Sequence, residues 1–126
     1  MKKLNNIILV LVGGGLGSAC RYLFSMLTNK WFGNSFPLGT LGVNLLGCLL
    51  IGIGFSLAGR NTLSPSIRLL FMTGFLGGLT TFSTFALESA NFFRNTEMVT
   101  AILNIIANNL GGLALVLIGL WLGKFI

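Results

Sequence analysis

Apolar residues fall in four long blocks separated by short polar interruptions. A helix that crosses a membrane needs about 20 largely apolar residues, at a rise of roughly 1.5 Å each. Residues 6–28, 37–58, 66–93 and 98–123 meet that need. The connections between them are short. NKWFGNSFP holds Gly33, Asn34 and Pro37, all turn residues, and Pro37 suits a first helical turn because no amide donor is needed there. GRNTLSPS offers Ser64 or Ser66 as a helix cap, with Pro65 at the first turn. FRNTE offers Thr96 as a cap, with Glu97 near the positive helix end. Little is left over for a soluble domain. The pattern predicts an all-α membrane protein, with one four-helix domain covering residues 1–126.

The third block carries GFLGGLTTFSTFALE, residues 74–88. Thr80, Thr81, Ser83 and Thr84 surround Phe82 there. In a continuous helix such hydroxyls bond back to carbonyls one turn earlier. Gly74, Gly77 and Gly78, however, ease an irregular backbone just before them. A break at membrane depth is tolerable only where it is buried or lines a polar path. It frees carbonyls for a cation and amides or hydroxyls for an anion. A broken third helix is therefore the expectation. Phe82 and Phe85 lie three apart, on nearly one face. They either pack in the core or turn their positive ring edges toward a small anion.

Other polar residues lie inside the blocks. Arg21 either snorkels to the interface or supplies positive charge at a vestibule. Asn44, in GTLGVNLLG, either ties two helices together or donates to a dehydrated anion. Asn104 and Asn108 share a helix face and line a groove or bridge to another helix, while Asn109 points elsewhere. Glu88 is the only acidic residue well inside the third block. It pairs with a basic residue near the interface or, if deeply buried, is a proton-coupling candidate. Glycines recur in GGGLG (13–17), at Gly42, Gly47, Gly52 and Gly54, and at Gly111, Gly112, Gly119 and Gly123. Small residues let helices approach closely where lipid provides no hydrophobic drive, so the density of glycine indicates a compact bundle.

Composition agrees. Hydrophobic residues make up 54% and charged residues 8%, against roughly 25% charged in soluble domains. The net charge of +6 comes without a basic stripe or interleaved aromatics, which argues against nucleic acid. The charges read as interface anchors. Histidine is absent, and no hydrolase, phosphate-loop or dinucleotide motif is present, so an enzyme is not expected. Cys20 and Cys48 read as small buried hydrophobes. MKKLNNIILVLVGGG begins like a secretion signal, but its apolar run passes Gly17 without a cleavage site and reads as a retained helix. An even number of spans puts both termini on one side. Lys2, Lys3, Arg60, Arg68 and Lys124 share that side, opposite Lys30 and Arg94 with Glu97 nearby. The bias favours cytoplasmic termini but is modest enough to permit both orientations. Donor groups outnumber carboxylates inside the bundle, so anion passage fits better than cation passage. One four-helix chain is thin for a sealed path, and a dimer or larger assembly is expected.

GGGLGSACRY (13–22), GTLGVNLLG (39–47), GFLGGLTTFSTFALE (74–88) and the Asn- and Gly-rich fourth helix resemble the small fluoride channel family known as Fluc or CrcB. The resemblance covers almost the whole chain, and GGLTTFSTF is its most specific part. It implies an antiparallel, dual-topology homodimer in the inner or plasma membrane, with two fluoride pathways at the dimer interface. It implies passive fluoride export that confers fluoride resistance. A structural sodium ion at the dimer centre would be held by carbonyls of Gly77 and Thr80 from both subunits. Carried over by motif, Phe82 and Phe85 line the fluoride path, Asn44 is the pore amide, and Ser83 and Thr84 belong to a polar track. Arg21 lies near a vestibule. The family often places a tyrosine or other hydroxyl residue on the fourth helix. Here the only tyrosine is Tyr22, and the fourth helix offers Asn104 and Asn108. The partners so implied are fluoride, lipid and an identical inverted subunit. A proton-coupled exporter using Glu88 and a non-transporting scaffold are the rival readings.

Overall fold

Glycine sets how closely the helices of this chain approach one another. The computed structural model describes residues 1–126. Four helical spans, Lys2–Phe32, Leu38–Gly59, Pro65–Arg94 and Met98–Leu122, are each long and apolar enough to cross a membrane. The chain is a multi-pass membrane protein. The first helix outruns its apolar block at both ends and takes in Lys2, Lys3 and Lys30. Lysine is a good helix former, and its long stem carries the charge out to the headgroups.

The first helix packs along the first half of the third span, and the second packs along the fourth. At both contacts backbone meets backbone. A Cβ on Gly13 would land on the Leu70 carbonyl oxygen, and one on Gly17 on that of Phe75. Across the same contact, a Cβ on Gly74 would sit 3.0 Å from the Gly13 Cα, and one on Gly78 would land on the Gly14 carbonyl. Two glycines four apart on each helix therefore face one another. The second contact repeats the device, with Gly52 against Val116 and Gly119 against Leu49. Close approach of this kind gains dispersion energy that lipid cannot match.

Val43, Leu76 and Leu79 form the centre, with Leu50, Ile51, Phe71 and Phe75 packed against it. Only 20 of 126 residues are buried within a single chain, so most apolar side chains are left for lipid or for another protein surface.

The ends of the spans are closed by local bonds. Ser64 caps the third span, its Oγ accepting from the Ile67 amide at 3.3 Å with Pro65 following. The second span ends on Asn61 at φ 56°. There the Thr62 amide donates to Leu57 O at 3.3 Å and the Asn61 amide to Ala58 O at 3.1 Å. The third span ends the same way on Thr96 at φ 61°, with Glu97 N bonded to Phe92 O at 2.8 Å and Thr96 N to Phe93 O at 3.2 Å. Thr96 therefore closes the third span and does not cap the fourth, correcting the sequence reading. Glu97 takes the cap position without a side-chain bond. The arginines of the terminal side also serve helix ends. Arg60 donates to Gly123 O at 2.8 Å, and Arg68 donates to Ala58 O at 2.7 Å and Leu63 O at 3.1 Å.

Overpacking the first glycine contact should be costly. Gly17→Ala is expected to lose about 3 kcal/mol of stability, read as a fall in the thermal unfolding midpoint in detergent. Gly15→Ala, where a Cβ meets nothing within 4 Å, should leave that midpoint unchanged or slightly raised. Equal behaviour of the two variants would remove the close-contact argument.

Candidate functional site

The third span is helical to Leu79, extended at Thr80 (φ −83°, ψ 155°) and Thr81 (φ −150°, ψ 113°), and helical again from Phe82. The break lies midway along Pro65–Arg94. Wider π-type turns over Arg68–Leu76 precede it. In an unbroken helix the Thr81 amide would donate to the Gly77 carbonyl, and the Thr84 amide to the Thr80 carbonyl. Here both amides go elsewhere. Thr81 N donates to Asn44 Oδ1 at 2.8 Å, and Thr84 N donates to Thr81 Oγ1 at 3.2 Å. The carbonyls of Gly77, Gly78, Leu79 and Thr80 thus lose their helical donors, and that of Gly78 gains Arg21 Nε instead. Thr80 closes the first half, its amide and hydroxyl both donating to Leu76 O at 3.1 and 2.9 Å. Thr81 caps the second half, and the break so presents a carbonyl end and an amide end to one locality.

Asn44 holds the break open. Its Nδ2 donates to Thr81 O at 3.1 Å while its Oδ1 accepts from Thr81 N, so a side-chain amide replaces the missing peptide partner on both sides of one residue. Its second N–H donates to Asn108 Oδ1 at 2.9 Å. Asn108 Nδ2 donates to Asn104 Oδ1 at 3.0 Å, and Asn104 Nδ2 donates to Ser89 Oγ at 2.9 Å. Both asparagines therefore bridge helices. Asn104 is 0% exposed and lines neither of the cavities described below. The fourth helix widens into π-type turns over Ala107–Gly111. Asn109 consequently shares a cavity with Asn108, where a regular helix would have turned it away.

Two cavities flank the break, and Thr81 lines both. The first, of about 380 Å³, is lined by Asn44, Gly77, Thr80, Phe82, Phe85 and Asn108, among others, and holds Cys48 at its wall. The Phe82 and Phe85 rings meet edge to face, with centroids 5.4 Å apart and planes at 66°. Phe85 is buried at 6% exposure, whereas Phe82 is 75% exposed on the single chain. The second cavity, of about 310 Å³, is polar: Ser18, Arg21, Tyr22, Ser25, Thr40 and Thr84 join Thr81 in lining it. Arg21 does not snorkel to the interface. The first helix continues to Phe32, and Arg21 Nε instead donates to Gly78 O at 3.1 Å, beside the break. Ser83 is exposed, with its hydroxyl 3.4 Å from Thr81 Oγ1. It lines neither cavity. Thr84 accepts from Thr81 Oγ1 at 3.0 Å.

Glu88 does not pair with a basic residue. Its Oε1 accepts from Thr40 Oγ1 at 2.6 Å, and its Oε2 is buried without a partner. Thr40 was missed in the sequence, although it lies one helical turn before Asn44 and so on the same face. The chemistry of the site is two-sided. The Arg21 guanidinium and the amide end of the second half favour an anion, while the carbonyl end of the first half favours a cation.

The family described as "CrcB-like protein, Camphor Resistance (CrcB)" matches residues 8–120. A "Fluoride-specific ion channel FluC" of Shewanella halifaxensis is 46% identical over 105 residues, covering 83% of this chain and 85% of the relative. The protein of the same name from Maridesulfovibrio salexigens is 41% identical over 124 residues, covering 98% of each. That of Dehalococcoides mccartyi is 43% identical over 127 residues, covering 98% of this chain and 95% of the relative.

The clamp makes its own prediction. Asn44→Leu strips the Thr81 amide and carbonyl of their partner, at an expected cost of about 2–4 kcal/mol for two buried groups. The thermal unfolding midpoint in detergent should fall accordingly. A midpoint equal to wild type would mean that Asn44 does not hold the break.

Proposed function

The chain belongs to the CrcB-like family, and on that footing we propose that it is a passive, fluoride-selective channel that exports fluoride from the cytoplasm and so confers fluoride resistance. The observation that carries this reading is the break midway along the third span, which deprives the carbonyls of residues 77–80 of helical donors and turns Arg21 onto one of them, that of Gly78. A four-helix protein built only to pack gains nothing from such a break. Hydrogen fluoride enters cells by diffusion and dissociates at neutral pH, leaving fluoride inside. The negative-inside potential then drives the anion out, and no coupled energy source is needed.

In this reading the anion is drawn inward by the Arg21 charge and the amide end of the break. It exchanges water for the hydroxyls of Ser83 and Thr84 and the positive ring edges of Phe82 and Phe85. Asn44 borders the pathway and holds its shape, both its N–H groups being committed to Thr81 and Asn108. Asn108 completes the wall of the first cavity. Ring edges and hydroxyls hold the ion weakly enough to release it. A path fitted to a small ion excludes chloride.

The assembled form is an inverted homodimer. Phe82 and the free carbonyls open onto the side of a single chain, where lipid could not satisfy them. A second copy covers them. The modest charge difference between the two ends of the chain is compatible with insertion either way up. The carbonyls of Gly77 and Thr80, freed of their helical donors, suit a sodium ion shared with the same carbonyls of the partner copy. There the ion would supply fixed positive charge as a structural element. A proton-coupled exporter is the second reading, favoured by the buried, unpartnered Glu88 Oε2.

Purified protein in liposomes loaded with potassium fluoride tests the channel. A potassium ionophore should release fluoride rapidly without any imposed proton gradient, and chloride-loaded liposomes should stay tight. Release that requires a proton gradient and vanishes in Glu88→Gln would favour the exporter. Replacing sodium throughout with an organic cation should abolish the fast release, and persistence of full flux would remove the sodium proposal. Phe82→Ile with Phe85→Ile should cut fluoride flux at least about tenfold while assembly on a sizing column is unchanged. In cells, a membrane-impermeant thiol reagent should reach only part of a population carrying one cysteine at the amino terminus, with Cys20 and Cys48 replaced. Complete labelling, or complete protection, would sink dual topology.

A further inference from the structure

A single line of hydrogen bonds runs from the break to the turn that carries Phe85. Thr81 N donates to Asn44 Oδ1 at 2.8 Å, and Asn44 Nδ2 to Asn108 Oδ1 at 2.9 Å. Asn108 Nδ2 donates to Asn104 Oδ1 at 3.0 Å, and Asn104 Nδ2 to Ser89 Oγ at 2.9 Å. Ser89 Oγ then donates to Phe85 O at 2.9 Å. The line starts on a backbone amide, which can only donate, and ends on a backbone carbonyl, which can only accept. Those two fixed ends dictate the orientation of every amide between them, because turning one over would set donor against donor. A one-way chain of this kind is mutually polarising.

We propose that Asn104 is a positioning residue for conduction: through this line it ties the Phe85 turn to the Thr81 end of the break and so fixes the aromatic edge beside the pathway. The inference rests on the channel reading above. Asn104 is 0% exposed and Ser89 5%, so neither meets a passing ion. A leucine at 104 would fill similar space without needing a partner. The polar residue is costly at this depth unless its bonds are made, and here they are. The two ends of the line are the two parts of the site. Phe85 packs edge to face with Phe82, and Thr81 borders both cavities. Without the central link, the half-helix after the break keeps its bonds to the second helix at Thr81 and Glu88 but has no side-chain hydrogen bond to the fourth helix at the level of Phe85.

Asn104→Leu, Ser89→Ala and the double variant, each reconstituted in liposomes, test the proposal. Fluoride and chloride efflux are measured per incorporated protein, beside the thermal unfolding midpoint. Each single variant should lower fluoride flux by about tenfold and raise the chloride-to-fluoride ratio. The double variant should be no worse than the worse single, because both cut one link. Ser89→Thr keeps the hydroxyl and should retain the wild-type ratio. A purely structural role would lower the midpoint and leave the ratio untouched, and that result overturns the proposal, as do multiplying effects in the double variant. Should Asn104→Leu fail to assemble, Ser89→Ala decides alone, since it removes one oxygen and adds no bulk. Wild-type protein that passes no fluoride sinks the channel reading itself. Wild-type flux with unaltered single variants sinks only the positioning role.

Discussion

A backbone amide or carbonyl cannot be left bare in hydrocarbon, and the architecture of this chain follows from how it meets that requirement at Thr80 and Thr81. Three of the spans satisfy it in the ordinary way, within continuous helices. The third interrupts its own ladder at mid-membrane and so takes on a debt of unpaired groups. Asn44 settles the amide and carbonyl of Thr81, and the Thr81 hydroxyl settles the amide of Thr84. The carbonyls of Gly77, Leu79 and Thr80 are left without a helical donor.

The glycine contacts and the break depend on each other. Backbone-to-backbone approach at Gly13, Gly17, Gly74 and Gly78 brings the first helix close enough for Arg21 to reach the Gly78 carbonyl. With a wider separation, that guanidinium would have to find a partner elsewhere. The first half of the third span packs on the first helix, while the second half rests on the fourth helix through Ser89 and Asn104. The two halves are therefore held by different neighbours, and Asn44 is the residue that joins the two systems.

Much of this was legible in the sequence because it is written in local chemistry. Four apolar blocks, a cap at Ser64 or Ser66, of which the structure uses Ser64, and the break after Gly74, Gly77 and Gly78 all follow from residues close together in the chain. What escaped depends on packing. The apolar block of residues 6–28 puts Arg21 near a helix end, but the helix runs on to Phe32 and the side chain bonds Gly78 O instead of snorkelling. Regular 3.6-residue turns would face Asn109 away, and the π-type turns over Ala107–Gly111 bring it to the cavity. Thr96 carries a helix-capping side chain, yet the geometry that closes the preceding span claims it first. The Glu88–Thr40 bond spans 48 positions, and only the fold brings the pair together.

The glycine contacts also bear on how such a chain can diverge. Every single-base change in a glycine codon that alters the residue adds a side chain or stops translation. At Gly13, Gly17, Gly78, Gly52 and Gly119 even the smallest of those side chains would run into a neighbouring backbone, which has no rotamer to yield. The lipid-facing leucines, isoleucines and valines can interchange at little cost. Sequence drift in this protein is thus channelled onto its outer surface, and the helix contacts that carry no side chains form its least mutable part.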